Sequence, residues 1–467
     1  MSHVHDVVVI GAGPAGSTAA TRLALLGHDV ALIARNAEPV RRVGESLPPT
    51  IAPILEAIGV RDRIDGAGFL RPDHAVVMWT REPTEPWAWP ARGYSVDRAV
   101  FDALLRDAAS DAGAKVFAPV CANRPKHENG LWRVPGEGCP DVRGHLLVDA
   151  TGKGGILPGA REGVAVRTIA LHAYGMADGV MDDAPWIEAL ESAWTWAAPM
   201  GAGAWSAAVF VDAPRAARVG DRLSLFNHFA SQARAPVWHR AQFGPIRAWD
   251  ATPARRLDPF GEDWVAIGEA ALAVDPISSQ GVPIAMTSAL HAAAAMHTML
   301  AYPTRKVLAE RFVRERHQET WERTSDEAAR AYRTQNRHQH ESWARRAALA
   351  PARPALPAIS TRAPRTLEHA DFPFMLAPDC CVSEVPALVG DCIDLATALT
   401  HPAFDRPIAF VGDIPLAPLA RALARPTTYA AAMQSVTQEI RLSSAQAALR
   451  WLLDKGLVVA AIPSEPT

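Results

Sequence analysis

Residues 7–10, Val-Val-Val-Ile, run directly into Gly11-Ala12-Gly13-Pro14-Ala15-Gly16, and this junction constrains the fold more than any other feature of the chain. The run over residues 5–10 has the pattern of a buried strand. Residues 15–26 have helical spacing that stops at Gly27, suited to the turn after a helix. Strand, glycine turn and helix begin a βαβ unit. Gly11 then permits the tight turn, Gly13 lets the backbone approach a pyrophosphate, and Gly16 lets helix and strand pack closely. The helix N-terminus, entered through Pro14 and Ala15, attracts phosphate charge. The junction therefore predicts a dinucleotide site in an α/β domain.

The fingerprint alone leaves NAD and FAD open, and three later segments point to FAD. Residues 146–152, Leu-Leu-Val-Asp-Ala-Thr-Gly, read as a strand ending in a small-residue turn that brings Ala150 and Gly152 to the cofactor. Residues 264–271 read as another. There Gly268 allows close approach, and the Glu269 carboxylate accepts hydrogen bonds from sugar-chain hydroxyls. Residues 275–282, Asp-Pro-Ile-Ser-Ser-Gln-Gly-Val, feed an alanine-rich helix over residues 283–300. Its N-terminus, with Pro276, Gln280, Gly281 and Val282, aims amide donors at the pyrimidine edge of a flavin.

Taken in order, the glycine turn, Arg42-Val43-Gly44-Glu45-Ser46, Tyr94-Ser95-Val96-Asp97-Arg98 with Phe101-Asp102, the Asp-Ala-Thr-Gly turn, Gly-Glu-Ala-Ala and the residue 275–282 turn resemble the group A FAD monooxygenases and their flavin-dependent halogenase branch. The likeness covers residues 5–300 or so. Within that superfamily the chain is most similar to the flavoprotein monooxygenases that mature tryptophylquinone cofactors, such as the one (CTQ) of quinohemoprotein amine dehydrogenase. The resemblance implies FAD, reduced by NAD(P)H or by a partner flavin reductase, with O2 as co-substrate. It adds Arg42, Glu45, Ser46 and Arg98 to the cofactor contacts. It implies a protein or peptide substrate whose Trp indole ring is hydroxylated by a flavin C4a-hydroperoxide. Two positions depart from the pattern. Ala34 and Arg35 stand where an acid normally ends the second strand and holds the adenosine ribose, so a charge-assisted hydrogen bond is missing there. Glu269 replaces the usual aspartate and keeps its acceptor chemistry.

Hydroxylation and halogenation diverge on the substrate side. Trp194-Thr195-Trp196-Ala197-Ala198-Pro199 is similar to a halogenase signature, with Ala198 where isoleucine is usual. Those halogenases rely on a lysine after the Gly-Glu-Ser block. Here no lysine precedes Lys115, and residues 66–79 offer only Arg71. A guanidinium releases no proton near neutral pH and presents a fork rather than a point charge. Ser278 also stands where the tryptophan halogenases have glutamate. The reading is an oxygenase with Trp196 as a water-excluding wall, and with Asp73, His74, His172 and Tyr174 as candidate bases or orienting groups. Three alternatives stay open: a halogenase of an aromatic small molecule, a flavin-dependent isoprenoid reductase, and a flavin-containing binding protein without turnover. With neither a Gly-x-Ser-x-Gly elbow nor a phosphate loop of the Gly-x4-Gly-Lys type, hydrolase and NTPase readings lack support.

With 467 residues, 49 % of them hydrophobic, the chain can bury a core for two or three domains. A net charge of −3 supplies no basic field for nucleic acid. Five cysteines without a Cys-x-x-Cys or a His/Cys metal spacing point to a reducing compartment and no metal. The strand at the start leaves no room for a signal peptide, and no apolar run is expected to reach the ~18 residues of a membrane span. These features predict a cytoplasmic protein with no membrane contact. The expected organisation is a Rossmann-like FAD-binding domain from residues 1–65, 93–165 and 256–305, interleaved with a mixed β-sheet substrate domain from 66–92 and 166–255. A helical segment over 306–349 follows, with His317, His338 and His340 read as a solvated face, then a Pro/Ala linker over 350–370. Residues 371–467 predict a winged-helix-like α+β module. It has helices over 415–424, 427–439 and 443–455, Ser443 as an N-cap, and Cys380, Cys381 and Cys392 as buried reduced thiols. Ten Asp/Glu against six Lys/Arg give that module 6 − 10 = −4, which favours protein docking over DNA.

Overall fold

The structure is a computed structural model that describes residues 3–82, 86–137, 141–178, 182–350, 373–402, 404 and 406–461. The linker expected over 350–370, the boundary at Asp371 and Cys139 lie outside the described residues, save Ala350. The fold is α/β, and the chain divides into two compact units: Met1–Leu300 with Val313–Ala352, and Ala301–Phe312 with Arg353–Thr467.

The first unit opens with the predicted strand, Val4–Ile10, followed by helix Pro14–Leu25. Val7, Val8 and Val9 are fully buried, because a parallel strand is covered on both faces. Strand Val4–Ile10 lies between Val30–Ile33 and Val142–Asp149, both parallel to it, and Lys115–Phe117 extends the sheet beyond Val30–Ile33. The far edge of Val142–Asp149 is shared. Its beginning pairs with Leu131–Val134 and its end with Trp264–Ala266.

A second, eight-stranded mixed sheet is centred on Thr168–Ala177, Ala204–Asp212 and Ala193–Gly201, with Trp186–Ala189 and His74–Met78 following in space. Alternation divides its two faces. Leu171, Ala173, Ala207, Val209 and Val211 pack on one side against Leu225, Phe226 and Phe229. Ala170, Trp194, Ala208 and Phe210 pack on the other against Trp79, Tyr332 and Trp343. The Trp194 and Phe210 rings stack at 3.8 Å, an arrangement worth about 0.5–1.5 kcal/mol beyond area burial.

Several local expectations differ from what is observed. Helix Gly281–Ala301 has no charged residue and is long and apolar enough by composition to cross a membrane, contrary to the expectation that no such run exists. Its alanines pack as a core helix, and half of its most apolar stretch is buried. Helix Lys306–Thr334 is more than a solvated face. It buries Ala328, Ala329 and Tyr332, a His317 ring nitrogen lies 2.8 Å from the Arg256 carbonyl, and His340 caps helix Glu341–Ala347.

The second unit holds an antiparallel hairpin, Cys381–Val389 with Cys392–Thr400, followed by helices Ala417–Ala422, Tyr429–Val436 and Leu442–Asp454. Strand Val458–Ala460 then pairs with Phe374–Leu376. The hairpin, which alternation did not reveal, precedes the helices. Arg441 rather than Ser443 is the N-cap residue of the last helix, since extended backbone ends there and Ser443 falls inside the first turn. The thiols are less buried than expected: Cys381 is exposed, Cys380 and Cys392 are half-buried, and burial raises the Cys380 pKa to about 11.

Candidate active site

The cofactor turns converge through close backbone packing. Gly11 has φ +106°, and a Cβ there would overlap the Ala150 carbonyl; one on Gly16 would overlap the Gly11 carbonyl. A Cβ on Gly268 would press on Ala15 at 2.9 Å and on Ala285 at 3.4 Å, so the residue 264–271 turn lies between the first helix and helix Gly281–Ala301. By contrast, a Cβ on Gly13, Gly152 or Gly281 would meet nothing within 4 Å. Packed glycines that hold the turns together, beside others that face open space, form the cradle that a dinucleotide pyrophosphate and a flavin edge need. Around it, Ala150 donates its amide to the Ile10 carbonyl, and Pro276 opens the short helix before the left-handed Ser279. The Gln280 side chain lies 3.5 Å from Arg323. Glu269 and Arg42 are exposed, as is Arg35; Ala34 is buried, leaving the end of the second strand without a carboxylate.

The Gly-Glu-Ser block is tied to this cradle. Gly44 has φ +103°, which directs the Val43 carbonyl to Arg98 Nη1 at 2.8 Å, and a Cβ on Gly44 would touch Val282 at 3.4 Å. Arg98 is buried and holds Asp102 with two hydrogen bonds of 2.9 and 3.1 Å. Ser46–Leu47 pairs with Tyr94–Ser95, and the Ser95 hydroxyl donates to the Pro199 carbonyl of the second sheet.

Glu45 projects from this block onto the second sheet. It is fully buried, and its Oε2 accepts the Gly44 amide at 2.8 Å. Its Oε1 accepts the Tyr174 hydroxyl at 2.8 Å and the Ser206 hydroxyl at 3.0 Å. Ser206 lies opposite Tyr174 in the antiparallel ladder, and His172, two residues away on the same face, has Nε2 2.8 Å from Ser206 Oγ. Burial, followed by the charge of Arg247, lowers His172 to about 4, so the ring is neutral at pH 7. Because the Ser206 proton points at Glu45, its oxygen accepts from His172; the ring therefore carries Nε2–H and keeps Nδ1 as its acceptor. Burial raises the Glu45 pKa against the pull of its Tyr174 and Ser206 hydrogen bonds and the Arg98 charge. Burial also pushes the Tyr174 phenol up, helped by the Glu45 charge.

The ladder puts His172, Ala208, Trp196, Ile187 and Val77 in one row across the inner face. Trp196, half-buried, is thus two strands from His172, about 10 Å, with only Ala208 between. Asp73 and His74 are not brought to this group. His74–Met78 is four strands from Thr168–Ala177, about 19 Å. There Asp73 lies 2.8 Å from His74 in an exposed pair. Ser206 was missed by the sequence reading, although a lone hydroxyl in the apolar run over residues 204–211 was a signal, since a buried polar group needs a partner. A groove of about 890 Å³ lined by Ile169, Leu171 and Arg215 lies on the opposite face, away from His172.

A tryptophan halogenase family model matches residues 78–356, and a pyridine nucleotide-disulphide oxidoreductase model matches residues 5–57. The flavin-dependent halogenase armH3 of Armillaria mellea is 29 % identical over 336 residues, 62 % of this chain and 66 % of that protein, so the chain spans just under two thirds of this relative. Among solved structures, the flavin-dependent halogenase CmlS superposes with a TM-score of 0.75 at 21 % identity, covering 98 % of this chain and 96 % of CmlS. The peptidyl tryptophan dihydroxylase QhpG, described as essential for tryptophylquinone cofactor biogenesis, gives a TM-score of 0.71 at 23 % identity, covering 97 % and 100 %. At these identities the two structures show the shared fold.

Proposed function

The chain belongs to the tryptophan halogenase family of flavin-dependent oxidoreductases, and from that premise we propose that it hydroxylates the indole ring of a protein-bound Trp. FAD is the cofactor, and in reduced form with O2 it supplies the electrophilic oxygen. The residues that would hold it are the glycine turn, the residue 264–271 turn, the first turn of helix Gly281–Ala301 and the Arg98-braced Gly-Glu-Ser block.

The observation that carries the reading is the distribution of lysine. The chain has Lys115, Lys126, Lys153, Lys306 and Lys455, and none is on the second sheet. Lys115 borders the dinucleotide sheet beside Phe117, and Lys153 is engaged by the Asp250 and Thr252 carbonyls at 2.7 Å each. Arg71 is committed to Asp65 and the Tyr94 ring. Among the described residues of the first unit, an ammonium that could hold and protonate a hypohalous species is therefore missing from the inner face, whereas oxygen transfer does not require one.

Oxygen addition to an aromatic carbon leaves on it a strongly acidic proton, so a weak base suffices to remove it. His172 Nδ1 can accept that proton, Nε2–H passes to Ser206, and the Ser206 proton passes to Glu45. Trp196 and the Trp194–Phe210 stack exclude water. The likeness in fold to QhpG supports a protein-bound substrate. Halogenation is the second reading, favoured by the Trp194/Trp196 strand and by relatives described as halogenases. The test is aerobic incubation of the FAD-loaded enzyme, a reductant and chloride or bromide with a Trp-containing protein, a Trp peptide or free tryptophan, followed by mass spectrometry. One or two added oxygens on the protein or peptide support the proposal; a halogen isotope pattern overturns it.

A further inference from the structure

We propose that His3, His5 and Asp29 form a binding site for a transition-metal dication of the zinc type, at the end of the first strand remote from the cofactor. His5 lies on strand Val4–Ile10 and His3 just before it in a His-x-His spacing, and the two rings meet with centroids 4.5 Å apart. Asp29 sits between them. His3 Nε2 lies 2.5 Å from Asp29 Oδ2, and His5 Nδ1 lies 2.8 Å from Asp29 Oδ1. One ligand atom from each residue falls within 4.8 Å of the other two.

The surroundings make this more than a surface cluster. The His5 side chain is only 4 % exposed, and its ring packs edge-on against Phe117 at 6.0 Å. The Asp29 backbone is held from both sides: its amide donates to Asp6 Oδ2 at 2.9 Å, and its carbonyl accepts the amides of Asp6 at 2.9 Å and Val7 at 3.2 Å. Such outer contacts orient ligands before a metal arrives. Zinc–nitrogen and zinc–oxygen bonds are about 2.0–2.2 Å, so the pairs now in hydrogen-bond contact would have to open by less than about 1 Å. His3, 64 % exposed at the end of the strand, is free to make that movement, and Asp29, 42 % exposed, leaves room for water ligands. Two imidazoles and one carboxylate suit zinc, nickel or copper over magnesium or calcium. The expectation of no metal rested on the lack of a Cys-x-x-Cys or His/Cys metal spacing; the short His-x-His spacing acquires its meaning once the fold sets Asp29 beside it.

Titration of the EDTA-treated, FAD-loaded full chain with ZnCl2, by calorimetry and thermal melting, tests the proposal. One zinc ion per chain is expected, with a rise in Tm that MgCl2 does not reproduce. His3→Gln and Asp29→Asn, both at exposed side chains, should each weaken zinc binding by at least about tenfold, the loss seen even for outer-shell partners. His28→Gln should leave it unchanged, although His28 lies 2.8 Å from His297 in the other histidine pair nearby. FAD retention should be indifferent to zinc, since the strand runs about 20 Å from His5 and its neighbours to the glycine turn. Absence of zinc binding, binding that survives both ligand variants, or binding lost in His28→Gln would each overturn the assignment.

Discussion

Replacing Glu45 by glutamine separates the chemical role of the buried carboxylate from its structural one. Glutamine fits the same space. Its carbonyl can accept the Gly44 amide, and its amide can donate to the Tyr174 and Ser206 oxygens that now donate to Glu45. Ser206 must then turn its proton toward His172, which has to present a bare Nε2 and move its hydrogen to Nδ1. The substitution thus reverses the polarity of the relay without leaving a buried group unpaired. Where Glu45 is ionised, its three hydrogen bonds to a charged acceptor become neutral ones in the variant, at about 1 kcal/mol each or about 3 in all. Relief from burying a charge opposes this, and it is the larger effect, since burial raises the Glu45 pKa despite those bonds. The sign follows: a carboxyl raised in the fold contributes stability below its unfolded pKa and loses it as pH rises through the folded one. Glu45→Gln should therefore be as stable as the parent near neutrality and gain on it as pH rises, in urea melts. Turnover should fall by about a hundredfold, the lower range for losing general acid–base assistance, with more reductant diverted to hydrogen peroxide. Nitrogen-15 NMR of His172 should show the tautomer exchanged. Unchanged turnover, or an Nε2–H that persists in the variant, would refute the relay; a large loss of stability would make Glu45 a structural anchor instead.

Three further outcomes follow from the same geometry. Ala34→Glu restores an acid at the end of the second strand and should tighten FAD by about tenfold to a hundredfold, on the scale of one charge-assisted hydrogen bond; equal affinities by equilibrium dialysis would contradict this. His172, lowered from 6.5 to about 4, stabilises the fold above pH 6.5 and loses that contribution as pH falls toward 4. The change is about 3 kcal/mol at about 1.4 per pH unit. His172→Gln should lack that slope in urea melts between pH 7.5 and 4, and an identical slope would sink the assignment. Arg98→Met leaves Asp102 buried without its partner and should cost about 3–5 kcal/mol, most of it recovered by adding Asp102→Leu; a single variant as stable as the parent in urea melts would show the pair to be dispensable.

How much was legible depended on whether a residue's task was local. The glycine turn, the strand before it and the helix after it could be read directly, because φ at Gly11 and the packing of Gly16 are set within a few residues. The cluster around Glu45 was only half legible. His172 and Tyr174 stood out by residue type, but their company depends on the register that sets Tyr174 opposite Ser206 and on a Gly44 turn that carries Glu45 to the second sheet. Asp73 looked equivalent to them, and its separation by four strands is a matter of strand order, which no local pattern encodes. The solvated reading of helix Lys306–Thr334 failed for a similar reason. Its charges are abundant, yet Tyr332 reaches Asp275 at 2.9 Å, and the following helix places Arg346 on Asp212 at 2.6 Å.

The acid–base cluster does not by itself distinguish the two chemistries open to this family. Attack on an aromatic ring by electrophilic oxygen or by electrophilic halogen produces the same kind of cationic ring with one proton to lose, so His172, Ser206 and Glu45 would serve either. The difference lies one step earlier, in what delivers the electrophile. A hypohalous species must be held by a donor that is cationic and can give up a proton, and the inner face offers a neutral His172, a neutral Tyr174 and the Glu45 carboxyl, whose pKa burial raises. The cations nearby are guanidinium groups, with Arg98 locked to Asp102, Arg41 to Asp97 at 2.8 Å, and Arg247 opposite His172 in the ladder. Among the described residues of the first unit such a surface has no cation that can give up a proton to a hypohalous species, and on that distribution of lysine the hydroxylation reading rests.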